Sequence, residues 1–283
     1  MVKAKIAIVL KCILTGILYA LVTCVVQVPV ANALSLIIDI ESDSSISDEM
    51  LPLLLFFIFI AGTAMALFFY LNAHLFSSAK KWKQGLKFAL FVYFTNYIPQ
   101  VFFLDANKGI KGLISGGFSV IQVELFDLII LVVTVLLMVT YMPCDYKSET
   151  PDIGGIGWKC LMCGCVYAGI LVLLQEIVLP LFGFLNMASG LNVSKENMPF
   201  FYLVMILGFI MSGALVSLYV LKANDKHTKE KFLTEFAVLI WCTFDLTMIP
   251  LGFGVFATIT FIIVSIIAFT LLKYVIISVE KTV

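Results

Sequence analysis

Four acidic residues interrupt stretches that are otherwise apolar: Glu124 and Asp127 in GFSVIQVELFDLIILVV, Glu176 in ILVLLQEIVLP, and Asp245 in IWCTFDLTMIP. An ionised carboxylate in hydrocarbon is costly and usually faces an interior cavity or a water-filled path, so each of the four is a candidate for function. Glu124 and Asp127 are one helical turn apart on one face. No lysine falls in the same part of any apolar stretch. Such carboxyl groups have to be protonated, hydrated in a vestibule or neutralised by a bound cation, and each state permits proton or cation coupling. Glu124 and Glu176 have an easier route to interfacial water, which leaves Asp127 and Asp245 as the stronger pair.

Other familiar chemistries find little support. Cys160, Cys163 and Cys165 give a C-x-x-C spacing, with Cys144 just before them, but neither histidine is close in sequence to complete a metal site. Cysteines at helical positions in an apolar run serve as small packing residues. His74 and His227 flank apolar stretches and are expected to be solvated. There is no phosphate-binding glycine loop, dinucleotide fingerprint, H-E-x-x-H or G-x-S-x-G. Neither a cofactor nor a metal is expected, and the chain is not expected to be an enzyme.

The elements that must position the acids follow from composition. Of 283 residues, 62% are hydrophobic and 13% charged, and the mean hydropathy is +1.10, far from the quarter charged of an ordinary soluble domain. The expected fold class is all-α: a polytopic helical bundle with spans near 6–38, 51–76, 85–104, 118–142, 158–185, 199–222, 232–251 and 254–279, each long enough for the roughly 20 residues a bilayer core requires. The first and fifth are long enough to tilt, or to bend near Pro29 and Pro180. The net charge is zero, so a nucleic-acid partner is not expected; all 18 basic residues are lysines, and without arginine's bidentate side chain recognition of an organic phosphate is disfavoured.

Fifteen lysines fall on one side of this arrangement and only Lys108, Lys111 and Lys195 on the other. By the positive-inside rule both termini are therefore expected in the cytoplasm, with the chain integral to the cell membrane. Lys3, Lys5, the first apolar run and Ala31-Asn32-Ala33 resemble a cleavable signal. The run is long for a signal, and a similar run in mid-chain argues for its retention.

That similar run is a repeat. Residues 11–27, KCILTGILYALVTCVVQ, and 159–175, KCLMCGCVYAGILVLLQ, match at Lys11/Lys159, Cys12/Cys160, Gly16/Gly164, Tyr19/Tyr167, Ala20/Ala168 and Gln27/Gln175. The same register aligns Phe88-Ala89 with Phe236-Ala237, Tyr93 with Trp241 and Thr95 with Thr243, and after a small slip Ile98-Pro99 with Ile249-Pro250. Two membrane domains are thus expected, 1–145 and 146–283, each a four-helix repeat of the same orientation, related by a pseudo-twofold axis along the membrane normal. Except for the lysines, the repeated residues share a stripe about 100° wide, suited to helix contact in the interior, with spans one and five as candidates to face one another.

At about 1.5 Å per residue, Gln27, Asn32, Asn96, Gln100, Gln122, Gln175 and the four acids lie in the outer half of the bundle, with Tyr19 and Tyr167 nearer its centre. They lie beneath a first external loop carrying Asp39, Glu41, Asp43, Asp48 and Glu49. Gly62, Gly85, Gly208 and Gly213 suit close packing or bending. The leading expectation is a permease or secondary transporter of a cation or small polar solute, with proton coupling as an option, whose pathway comprises Asp127, Asp245, Glu124, Glu176, Gln27, Gln175, Tyr19 and Tyr167. The alternative is a non-catalytic integral subunit or accessory protein of a larger complex. A membrane-embedded redox enzyme ranks third. The bilayer is the expected partner, and the sequence names no protein partner.

Overall fold

The computed structural model describes residues 2–37, 50–97, 99, 117–143, 156–181, 193–223, 226–250 and 255–281. Among them the chain is all-helical, without a strand. The elements are α1 (Val2–Ile37), α2 (Leu51–Asn72, extended by a 3-10 turn Ala73–Phe76), α3 (Lys81–Val92, continued by a π-helical turn Tyr93–Tyr97) and α4 (Gly117–Tyr141). They continue with α5 (Ile156–Leu173, then a π turn Leu174–Val178 and Leu179–Leu181) and α6 (Met198–Lys222). Next is α7 (Lys226–Glu235, then a π turn Phe236–Trp241, Cys242–Asp245 and a 3-10 turn Leu246–Met248), and last α8 (Val255–Lys281).

Five helices are long and apolar enough to cross a membrane: Lys5–Val26, Leu51–Phe76, Gly157–Leu181, Met198–Lys222 and Thr258–Val279. Among the described residues the other three expected spans do not reach that measure; 85–104 and 232–251 lie partly outside those residues, as do the side chains of 118–124. In α4 the described apolar stretch is Leu125–Tyr141, while α3 and α7 begin with polar, lysine-bearing turns and change helix type before completing an apolar run.

Helix starts and breaks follow from proline. α2 and α6 both carry proline in the first turn, where the missing N–H has no intrahelical role. Two of the π turns lie just ahead of Pro99 and Pro180, at the second of which a bend was expected. Proline removes a donor to the carbonyl four residues back and crowds it, and a π turn absorbs the mismatch. Before Pro99 that carbonyl belongs to Thr95, and it accepts a hydrogen bond from the Ser212 hydroxyl of α6 at 2.7 Å.

Packing sorts the apolar surface into two faces. On α1, Cys12, Thr15, Gly16, Tyr19 and Thr23 are buried while Val9, Ile13, Ile17, Leu21 and Val25 are exposed. On α5, Cys160, Cys163, Gly164, Tyr167, Ala168 and Gln175 are buried while Leu161, Val166, Leu173 and Ile177 are exposed. The stripes thus face protein, and the outer faces are the apolar kind that lipid covers. The chief neighbours of α1 are α2 and α4, and those of α5 are α6 and α8. The two stripes are therefore not each other's main contact: each is taken up by the helix that follows it.

The reason is steric. A Cβ at Gly62 of α2 would lie 2.8 Å from the Tyr19 Cβ, and one at Gly213 of α6 would lie 2.8 Å from the Tyr167 Cβ. Gly16 and Gly164 on the opposing helices meet backbone atoms of Phe59 and of Ile210 and Ala214. Only a residue without a side chain lets the axes approach this closely.

An aromatic core joins α2 and α3 to α6, α7 and α8. Phe68 of α2 meets Phe232 at 5.2 Å and Phe236 at 6.0 Å. Phe91 of α3 meets Phe236 at 5.4 Å and Tyr219 of α6 at 4.7 Å. Phe236 continues the cluster to Phe269 of α8 at 5.2 Å. A hydrogen bond from Asn72 Nδ2 to Glu235 Oε2, at 2.8 Å, closes one edge of the same junction.

Steric reliance on the glycines has a measurable consequence. Gly62→Ala and Gly213→Ala should each lose about 1–3 kcal/mol of stability through overpacking. Gly169→Ala, whose Cβ meets nothing within 4 Å, should be neutral or gain up to about 1 kcal/mol from helix propensity. Thermal unfolding of the purified variants in one detergent checks this; equal losses at all three positions would contradict it.

Candidate functional site

Each described acid within the apolar stretches has a tyrosine nearby, by hydrogen bond or by electrostatic reach. Tyr19, held on α1 against Gly62, is almost completely buried, and its hydroxyl is hydrogen-bonded to that of Tyr97 at the end of the π turn after α3. Phe244 closes over the pair, with ring centroids 5.3 Å from Tyr97 and 6.3 Å from Tyr19, and Tyr93 stacks on Tyr97 at 6.1 Å. Asp127, half-buried on α4, is near enough for its charge to act on the Tyr19 hydroxyl.

Tyr167, on α5 against Gly213, is fully buried with its ring 4.8 Å from Phe269. Its electrostatic neighbours are Asp245 and Cys242, and Asp245 is itself 1% exposed. The third described acid, Glu176, accepts a hydrogen bond from the Tyr202 hydroxyl of α6 at 2.7 Å. An O–H donor on a neighbouring helix stabilises a carboxylate where no cation is at hand, and it also provides a route for a proton between oxygens.

Two buried amides complete the set. Asn96, between Thr95 and Tyr97, is 0% exposed and Gln175 is 1% exposed. In both, the amide oxygen and the amide nitrogen lack a hydrogen-bond partner among the described residues. By contrast the buried threonines Thr23 and Thr95 turn back onto their own helices, to Tyr19 O at 2.8 Å and Phe91 O at 2.6 Å. Trp241 likewise donates to Ser265 Oγ at 2.9 Å. The Tyr167, Thr134, Ser217 and Thr258 hydroxyls are also buried without a hydrogen-bond partner among the described residues, but only in Asn96 and Gln175 do both polar atoms of an amide lack one there.

Of the expected pathway residues, the structure gives Glu176 a tyrosine partner and buries Tyr19, Tyr167, Asp245 and Gln175. Both aspartates sit within electrostatic reach of the tyrosines that the sequence placed nearer the centre. The side chains of Gln27 and Glu124 lie outside the described residues, as do the first-loop acids, Asn32, Gln100, Gln122 and Cys144.

Tyr97, Tyr202 and Phe244 were not anticipated. Tyr97 had a signal: in the repeat register it stands where Asp245 stands, and both are partners of the repeated tyrosine. Tyr202 had none, because its meeting with Glu176 depends on how α5 and α6 cross.

Cys12, Cys160 and Cys163 are buried on packing faces, and both histidines are exposed. No cluster of metal-ligating side chains occurs among the described residues. A groove of about 380 Å³ opens on the outer face of α5 between Cys165, Ala168, Gly169, Leu173 and Ile206. Its walls are apolar, and the hydroxyls and carboxyls described above gather elsewhere.

A double-mutant cycle on Tyr19→Phe and Tyr97→Phe should return a coupling of about 1 kcal/mol, the net worth of one buried hydrogen bond. Tyr202→Phe, which strips Glu176 of its donor, should cost more, about 1–3 kcal/mol. Reversible unfolding in mixed detergent micelles measures both; additive tyrosine effects would show that the hydroxyls do not interact.

Comparison with known proteins supplies no family: no family model matches the chain, and no curated protein or solved structure matches it either.

Proposed function

We propose that the protein is a multi-pass membrane permease or secondary transporter for a cation or small polar solute. Its two related four-helix halves, 1–145 and 146–283, surround a polar interior, and both termini lie in the cytoplasm. The halves are suggested by contacts that recur in the repeat register. Tyr19 packs on Gly62 as Tyr167 packs on Gly213. Thr95 bonds back to Phe91 and Val92 as Thr243 bonds back to Leu239 and Ile240. The chief neighbours of α1, namely α2 and α4, correspond in order to those of α5, namely α6 and α8.

The observation that carries the functional reading is the pair of buried amides. Leaving a polar group unsatisfied inside a protein costs about 1–3 kcal/mol, and hydrocarbon offers no solvent in its place. A bundle serving only as scaffold gains nothing from Asn96 and Gln175 where leucine would pack. A bundle that conducts polar solute needs such groups to replace the solute's hydration. Asp127, Asp245 and Glu176 add negative charge and their tyrosines add hydroxyl oxygens, a set suited to a hard cation, a protonated amine or a proton relay.

The test is thermal stability across a panel of alkali cations, small amines and neutral polar solutes. A true ligand raises Tm by an amount set by its concentration over Kd, equivalent to about 2.7 kcal/mol at a hundredfold excess. The expected result is a shift for a subset of the panel that Asp245→Asn, Asn96→Leu or Gln175→Leu abolishes. No shift for any solute, together with leucine variants that are more stable than wild type, would favour a static membrane subunit instead.

A further inference from the structure

Most tryptophan and tyrosine side chains described in this bundle are enclosed or half-enclosed. Among the described residues the exposed ones are Trp82 of α3, Trp158 of α5 and Tyr274 of α8, at 51%, 69% and 62%. Each has lysine beside it in the chain: Lys81 and Lys83, Lys159, and Lys273. The Lys83 ammonium stands 5.5 Å from the centroid of the Trp82 ring, and the Lys273 ammonium 5.7 Å from that of Tyr274. Lys81 and Lys83 are themselves exposed, while Lys273 also meets Glu230 at 3.1 Å.

Contacts between helices put the three rings at one level. Phe76, in the 3-10 turn that ends α2, lies 4.6 Å from Tyr219 of α6. α5 and α6 run antiparallel, since Gly164 abuts Ala214 while Glu176 meets Tyr202. Trp158, almost two turns before Gly164, therefore stands opposite the turn of α6 that holds Tyr219. On the other side Asn72 is bonded to Glu235. One turn on from Asn72 is Phe76, and a little over one turn back from Glu235 is Glu230, the partner of Lys273 next to Tyr274. Gln84 donates from Nε2 to the carbonyl oxygen of Ala73 at 2.7 Å, which sets nearby Trp82 beside the end of α2. The apolar spans stop here as well: Leu51–Phe76, Gly157–Leu181 and Met198–Lys222 each have an end within a turn of this level, and Thr258–Val279 ends shortly after Tyr274.

We propose that Trp82, Trp158 and Tyr274, with the lysines beside them, form a belt that seats the lysine-rich end of the bundle in the headgroup layer of an anionic membrane leaflet. Indole and phenol rings have an apolar body and a polar edge, and they settle where hydrocarbon gives way to water. A neighbouring lysine lays its stem along apolar surface and sets its ammonium among lipid phosphates. The polar starts of α3 and α7 then lie among headgroups and not in hydrocarbon. The belt depends on the chain being a membrane protein and holds whether or not the bundle carries a solute.

The experiment uses the full chain in liposomes and reads tryptophan fluorescence quenched by lipids spin-labelled either near the glycerol or near the end of an acyl chain. Subtracting the signal of Trp82→Phe or Trp158→Phe from wild type isolates each residue. The double variant leaves Trp241, fully buried in the core, as the reference, and Tyr274→Trp added to it reports the third position. The shallow label should quench all three belt positions about twofold or more better than the deep label, a preference that Trp241 does not share. In neutral liposomes holding a small fraction of labelled lipid, shallow-labelled phosphatidylglycerol should quench Trp82 about fivefold more than shallow-labelled phosphatidylcholine, the enrichment that one lysine at the surface is worth. Lys81→Gln combined with Lys83→Gln should remove that excess.

The proposal is overturned if the deep label quenches the belt positions at least as well, which would sink them into hydrocarbon. It is also overturned if neither label quenches them, which would leave them in water or beneath a protein partner. Equal quenching of Trp82 by the two labelled lipids overturns it too, since the lysines would then select no anionic headgroup.

Discussion

Helices surrounded by apolar surface gain little from the hydrophobic effect on meeting each other, so what holds them is close contact between backbones and the satisfaction of polar groups within. Here that contact is tyrosine packed on glycine. Tyr19 lies on Gly62 and Tyr167 on Gly213, with no space for even a methyl group between. A tyrosine fixed at its Cβ has few ways to point its hydroxyl, and each is committed to one neighbourhood: Tyr97 and Asp127 for Tyr19, Asp245 and Cys242 for Tyr167. The packing that fixes the helix pairs therefore also fixes the polar interior. The aromatic core around Phe68, Phe91 and Phe236 then sets one helix pair against the other.

Proline shapes the same region. A carbonyl deprived of its helical donor by Pro99 becomes the acceptor for Ser212, so a helix break turns into a tie between α3 and α6. The π turns that accompany such breaks place Asn96 and Gln175 where the regular hydrogen-bond ladder is interrupted. Polar side chains at π turns mark functional positions in many helices, and in this bundle they are the residues whose burial most needs an explanation.

Much of this was legible in the sequence. The stripes of α1 and α5 were visible because the repeat holds small and polar residues in register while the apolar remainder drifts, and both face protein as expected. What could not be read was which helix each stripe would meet. Gly62 and Gly213 stood out only as glycines suited to close packing, and their pairing with the tyrosines depends on crossing geometry that periodicity does not encode. The acids were legible as costly, but their solution was not. Treating lysine as the natural partner of a buried carboxylate overlooked the tyrosine hydroxyl, which neighbouring helices supply to Glu176 and set near Asp127 and Asp245. Spans three and seven were harder still, because polar starts and changes of helix type break up the apolar runs by which a span is recognised.

The central claim is that Asn96 and Gln175 belong to a polar route rather than to a sealed core. Water access at those positions tests it most directly, without knowledge of the ligand. In a chain whose native cysteines have been replaced, Asn96→Cys and Gln175→Cys proteins in intact membranes would be exposed to a charged, membrane-impermeant thiol reagent, with Ala66→Cys in the fully buried core as the reference. Cysteines at 96 and 175 should react in the folded protein while that at 66 reacts only after unfolding. If all three stay unreactive until the protein is unfolded, the interior is sealed and the transport reading fails.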